Sequence, residues 1–176
     1  MEKEQARITE VLELALRMET DGQEFYLKAG QKSGNKLGRD LCERLAKEEE
    51  AHRRRFEQIY EAIKRERRWP DIKLESDQGQ GLKSLFAQAT KELGKEIKVA
   101  ESELEALKIA MDMETKSYDL YHRRSGETSL PVERRFYETL AGEERGHYLA
   151  LSDAHEYLSD PAGWFTRTEH WSMDGV

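Results

Sequence analysis

The sequence is poor in the residues that cross-link, kink or span. A single cysteine, Cys42, in 176 residues excludes an internal disulfide and any CxxC zinc knuckle or iron–sulfur site of the chain's own. Prolines occur only at Pro70, Pro131 and Pro161, so long stretches are free of the residue that breaks helices. No apolar run approaches the roughly 18 residues a membrane span needs. The start, Met1-Glu2-Lys3-Glu4-Gln5, has no hydrophobic stretch of the signal-peptide kind. Positive charge is also in deficit: 29 Lys and Arg against 36 Asp and Glu leave a formal charge of −7. That argues against nucleic acid as a main partner. The expectation is a cytoplasmic protein with no membrane partner.

What remains is rich in Glu, Lys, Arg, Leu and Ala, a composition of long helices. Apolar residues recur at helical spacing over about Glu4–Ala29 (Ile8, Leu12, Ala15, Leu16, Phe25, Tyr26) and Arg39–Arg67 (Leu41, Leu45, Phe56, Ile59, Ile63). The stretch Gly30–Gly38 between them reads as a loop. Trp69-Pro70 ends the second helix, and residues 70 to 81 read as an irregular crossover, with a shorter helix over about 83 to 94. The next long pattern covers about 98 to 124. Ser129 then offers a cap to a helix that has Pro131 in its first turn and runs to about Leu158, where Asp160-Pro161 closes it. Four long helices joined short, long, short predict an all-α four-helix bundle with one long crossover. Residues 1–160 would form the bundle and 161–176 a short C-terminal aromatic tail, covering a bundle end or a neighbouring subunit.

Shifting the second half back by 95 positions lays it on the first. Met18-Glu19-Thr20 meets Met113-Glu114-Thr115, and Tyr26 meets Tyr121. Leu45-Ala46 meets Leu140-Ala141, Glu48-Glu49 meets Glu143-Glu144, and His52 meets His147. One offset serves both helices of each half, so the bundle reads as two repeated helical hairpins.

The repeat preserves polar residues where a bundle should be apolar. Glu19 lies on the stripe between Leu12 and Tyr26, and Glu114 between Leu107 and Tyr121. Glu49 and His52 fall between Leu45 and Phe56; Glu144 and His147 fall between Leu140 and Leu151. Residues three apart share a helix face, so each Glu-x-x-His aims both side chains one way. Glu makes up 27 of the 176 residues, so a lone Glu-x-x-His carries little weight. The whole set, one element per helix in equivalent places, carries a great deal. Buried without compensation, four carboxylates would be very unfavourable; two divalent cations would match their charge. By contrast, His122, His155 and His170 lack the preceding Glu, and His52-Arg53-Arg54-Arg55 and Lys64–Arg68 read as solvated outer faces. Met18, Met113 and Cys42 read as packing residues.

These residues resemble the ferritin-like di-metal carboxylate superfamily and, within it, the rubrerythrin family. The superfamily pattern is one Glu from each of two helices plus Glu-x-x-His from each of the other two. The resemblance covers about residues 5–158. It implies metal ligands Glu19, Glu49, His52, Glu114, Glu144 and His147, with Glu49 and Glu144 bridging two Fe ions and Mn or Zn as possible substitutes. It also implies that Tyr26 and Tyr121 hydrogen-bond the ligands; a half-buried core tyrosine is the other reading. Members reduce hydrogen peroxide or act on O2 with Fe(II), and rubrerythrin-like chains usually form homodimers.

Two departures qualify the resemblance. Typical rubrerythrins carry a rubredoxin-like domain with four cysteines, whereas one Cys here implies a separate electron-donor protein, rubredoxin-like or a reductase. Typical members also carry a second Glu three residues after the third-helix ligand, where this chain has Ser117. The six-residue set thus resembles a bacterioferritin ferroxidase centre. The readings are a di-iron oxidoreductase acting on peroxide or O2, a ferroxidase for iron storage, or a non-catalytic metal-binding or partner-binding bundle.

Overall fold

The apolar periodicity resolves into six α-helices among the described residues: α1 (Glu2–Lys32), α2 (Lys36–Glu66), α3 (Gln80–Leu93), α4 (Glu101–Glu127), α5 (Pro131–Ser159) and α6 (Pro161–Met173). The computed structural model describes residues 2–66, 68–72, 76–77 and 79–173, the side chains of 2–6 and 169–173 excepted. No described helix is long and apolar enough to cross a membrane. α1 packs chiefly on α2 and α4 chiefly on α5, so the two halves of the sequence repeat are two hairpins. The long crossover between them carries α3, which lies against α2 and α5.

The core is two apolar clusters separated along the bundle. Leu41, Leu45, Leu107 and Leu151 belong to one; Leu12, Phe56, Tyr121 and Leu140 belong to the other. Along every long helix the residues of the polar set fall between a member of one cluster and a member of the other. The polar set is therefore a layer in the middle of the core, walled by apolar packing on both sides.

The helix ends differ from the sequence expectation in three places. The expected loop Gly30–Gly38 shrinks to residues 33–35, because both glycines are helical. A Cβ on Gly30 would stand 3.2 Å from the Cβ of Cys42, so this glycine serves the close approach of α1 to α2. Asn35 starts α2 by accepting the Gly38 N–H at 2.8 Å. The Ser129 cap does not form. Leu130 is the N-cap residue, and its N–H goes to Thr128 Oγ1 at 3.2 Å. Finally, Asp160-Pro161 opens a helix as well as closing one. Asp160 Oδ1 accepts the Gly163 N–H at 3.0 Å, and the expected tail becomes α6. Its Trp164 and Phe165 pack edge-on against Tyr157 at one bundle end. The side chains of His170 and Trp171 lie outside the described residues.

Candidate metal centre

Each of the four long helices delivers its part of the polar set because helical register carries it inward with the apolar stripe. Glu19, Glu49, His52, Glu114, Glu144 and His147 are all buried, none more than 5% exposed. They converge from α1, α2, α4 and α5 into one cluster. Ligand-type atoms of Glu49, Glu114, Glu144 and His147 all lie within 4.8 Å of one another, and so do those of Glu19, Glu49 and His52. Glu49 is common to both groups.

The carboxylates divide between two imidazoles. His52 Nδ1 stands 3.2 Å from Glu19 Oε2, 3.2 Å from Glu144 Oε1 and 3.9 Å from Glu49 Oε2. His147 Nδ1 stands 3.4 Å from Glu114 Oε2, and 3.5 Å from both Glu49 Oε1 and Glu144 Oε2. Glu49 and Glu144 thus turn one oxygen toward each histidine, while Glu19 and Glu114 serve one side each. The two imidazoles stack with centroids 5.7 Å apart.

Five buried atoms here make no hydrogen bond: Glu19 Oε2, His52 Nδ1, both Glu144 oxygens and His147 Nδ1. Leaving such groups unsatisfied in a core is costly, and all five face the middle of the cluster. Hard carboxylate oxygens and imidazole nitrogens are the donor set that suits iron, manganese or zinc. The residues present fit a divalent metal site.

Without cations, protons do the balancing. Burial, reinforced by the charges of Glu19, Glu144 and Glu114, pushes the Glu49 carboxyl well above its usual range. Burial likewise lifts Glu114 to about 8, although His147 pulls against it. Burial opposes charge on Glu144 too, but the contacts from His147 and His52 outweigh it and hold this carboxyl well below the usual range. Burial would lower both histidines. The surrounding carboxylates, led by Glu19 for His52 and Glu114 for His147, raise them instead.

Four further residues orient the cluster. Tyr26 donates its hydroxyl to Glu114 Oε1, and Tyr121 donates to Glu19 Oε1, each crossing from one hairpin to the other. Burial, with the adjacent carboxylates, pushes both phenols far up, so each remains a proton donor. Sequence reasoning missed the other two. His52 Nε2 meets Glu143 Oε2 at 2.9 Å, and His147 Nε2 meets Glu48 Oε2 at 2.8 Å. Each histidine is held on its outer nitrogen by the residue before the other hairpin's Glu-x-x-His, leaving Nδ1 toward the cluster. The signal was present, because Glu48 and Glu143 are themselves repeat equivalents.

A cavity of about 140 Å³ reaches the cluster between α1 and α4, lined by Gly22, Tyr26, Glu49, Glu114 and Ser117. A Cβ on Gly22 would sit 3.4 Å from the Glu49 carboxylate, so glycine and serine keep this face open. His122 stacks on Tyr118 outside the cluster, and Met18 and Cys42 pack with the apolar clusters, as the sequence suggests.

No curated protein and no solved structure matches the chain. The family model described as Rubrerythrin matches residues 10–155, a span that contains both hairpins and all six residues of the cluster. The chain belongs to the rubrerythrin family.

Proposed function

We propose that the chain is a non-haem di-iron oxidoreductase that acts on hydrogen peroxide or O2 with Fe(II). The observation that carries this reading is the set of five orphaned, buried donor atoms turned toward one another. The family supports it, since the chain is a rubrerythrin family member with a buried carboxylate–histidine cluster. When bound, two Fe(II) ions supply the two electrons that reduce a peroxide O–O bond or begin the reduction of O2.

The chain's own residues do the rest. Glu49 and Glu144, each with one oxygen toward either histidine, are the carboxylates that would be shared by both ions. Glu19 with His52, and Glu114 with His147, complete the two halves. Glu143 and Glu48 hold the histidine Nε2 atoms and so fix which nitrogen faces the cluster. Tyr26 and Tyr121 occupy the second oxygen of Glu114 and Glu19, which limits those carboxylates to one free oxygen apiece. The opening at Gly22 and Ser117 gives hydrogen peroxide access to the side of Glu49 and Glu114. Electrons for turnover come from a separate donor protein, and the working unit is a homodimer in the cytoplasm.

Anaerobic loading with Fe(II), followed by metal analysis, tests the reading. Two irons per chain are expected, and one equivalent of H2O2 or O2 should then produce a ferric absorption. Less than one iron per chain sinks it. Loss of metal in both Glu49→Ala and Glu144→Ala, to a similar extent, is the accompanying result.

A further inference from the structure

The two ends of the bundle are built from equivalent residues but are not packed alike. At the end where the α4–α5 turn meets the start of α1, the interior is filled by Arg124, Glu133 and Tyr137, all buried. Arg124 Nη2 pairs with Glu133 Oε1 at 3.5 Å, and Thr128 Oγ1 donates to Glu133 Oε2 at 2.6 Å. The same offset of 95 places Ala29, Gly38 and Cys42 at these three positions in the other hairpin. Ala106 likewise replaces Val11, while Phe25, in place of Leu120, returns part of the lost volume.

The missing volume is present as a cavity. It measures about 110 Å³ and lies where the α1–α2 turn meets the start of α4, with Ala29, Gly38, Cys42 and Ala106 in its wall. Its deeper wall is Leu107, Ala110 and Leu151. Burial raises the Cys42 thiol to about 11, so it lines the space as a neutral, apolar group. Three of the polar side chains at the rim, where Lys32 and Ser102 also stand, are engaged with one another: Ser33 Oγ and Asn35 Nδ2 both donate to Glu103 Oε1, at 2.6 and 2.9 Å. Enclosed apolar cavities of about 150 Å³ take up benzene or xenon, and this space, though open at its polar rim, is lined mainly by apolar surface. A space of this size and chemistry suits an uncharged molecule no larger than one ring.

Its position gives the occupant a use. The Tyr26 ring is a wall of this cavity and also of the cavity that opens on Glu49 and Glu114. Tyr26 is thus a shared boundary between the apolar space and the opening on the carboxylate cluster. Peroxide would lose its hydrogen bonds on entering such a space, whereas dioxygen has none to lose.

We propose that this cavity binds one small, uncharged, apolar molecule, and that dioxygen is the molecule of that class it supplies to the carboxylate–histidine cluster. The dioxygen half rests on the di-iron reading above; the binding half does not.

Xenon is the probe for binding. NMR spectra of the full chain under increasing xenon pressure should show saturable methyl shifts at Leu107, Ala110 and Leu151. Leu12 and Ala15, at the filled end, should show none. Cys42→Phe, which restores an aromatic ring to the position equivalent to Tyr137, should abolish the shifts. Ala106→Val, a milder filling, should weaken them and guards against a misfolded first variant. Shifts that are absent in the wild type, or unchanged in both variants, overturn the pocket. For the dioxygen half, stopped-flow oxidation of Fe(II)-loaded wild type and Cys42→Phe is compared with each oxidant. Cys42→Phe should slow the O2 reaction about fivefold and leave the H2O2 rate within about a factor of two, an effect on access rather than on the centre. Equal slowing with both oxidants, or none with O2, overturns the dioxygen assignment. A chain that takes up no iron sinks the di-iron reading and with it the dioxygen half, while xenon saturation still decides the pocket.

Discussion

Glu48 and Glu143 each precede an inward glutamate and reach across to the opposite hairpin's histidine. Their own carboxyls lie below the usual range: burial would raise them, and the histidines and the guanidiniums of Arg44 and Arg55 outweigh it. Removing such an outer partner of a ligating histidine typically weakens metal binding about 10–100-fold. Glu48→Ala and Glu143→Ala should each show a loss of that order, and by similar factors, in competition with a chromophoric chelator. Retention of full affinity in either variant would remove that residue from the scheme. Ser117 offers the opposite experiment, since it lines the opening beside Glu114 and Glu49 without reaching them as a carboxylate would. Ser117→Glu adds an anionic oxygen on the Glu114 face, and we expect it to shift the Fe(II) protein's preference toward H2O2. Rapid mixing with each oxidant measures the ratio. A wild type already strongly selective for peroxide, with the ratio unmoved by Ser117→Glu, would contradict the expectation.

The α1–α2 turn is tied to the second hairpin by a single acidic side chain. Glu103, in the first turn of α4, accepts from Ser33 Oγ, Gly34 N and Asn35 Nδ2 on one oxygen, and from Ala100 N at 3.2 Å on the other. It therefore locks the α1–α2 turn to the start of the second hairpin. Burial would raise its carboxyl, but these donors prevail and hold it below the usual range. Because the folded state favours the charged form, its contribution is complete above the unfolded value of about 4.3 and is lost as pH falls through the lower folded value. Glu103→Gln should cost about 1–2 kcal/mol at neutral pH, and the difference from wild type should shrink in acid. Urea midpoints at the two pH values read this directly. At the other end Arg124 and Glu133 are both 3% or less exposed. Glu133→Ala strands a buried guanidinium, and breaking a buried pair typically costs about 3–5 kcal/mol. The lower figure applies, because Glu127 Oε2 remains 2.9 Å from Arg124 Nη1; a Tm within a degree of wild type would show that the filled end does not depend on the pair.

For the whole molecule, metal and proton compete for one charge balance. Burial and the neighbouring carboxylates favour the protonated forms of Glu49 and Glu114, and the carboxylates around His52 and His147 favour the cationic imidazoles. A divalent ion must displace them, so loading releases protons and affinity falls as pH is lowered. Calorimetry in two buffers of different ionisation enthalpy should show heats that differ in proportion to the protons released. Identical heats would mean that the cluster binds metal already deprotonated. Because ions bind the folded chain and relieve its like charges, their removal should lower Tm, by an amount that grows with the metal concentration used for comparison.

Much of this was legible in the chain itself. Periodic apolar residues determined the four long helices, because burying one stripe of a helix needs little more than register. The offset of 95 paired the halves, and the inward placement of Glu19, Glu114 and the two Glu-x-x-His motifs marked out one polar cluster. Helix ends were less legible. Gly30 and Gly38 look like loop residues in sequence but lie within helices, one of them at the close approach to Cys42. Asp160-Pro161 stops one helix and starts another. Only the tertiary structure decided which carboxylate oxygen faces which imidazole, and that Glu48 and Glu143 cross between hairpins. Those pairings join residues about 90 to 100 positions apart, and local spacing carries no information across such a distance. The hollow end was likewise hidden: Ala29, Gly38 and Cys42 are unremarkable singly, and their lost volume becomes one cavity only when α1, α2 and α4 are packed together.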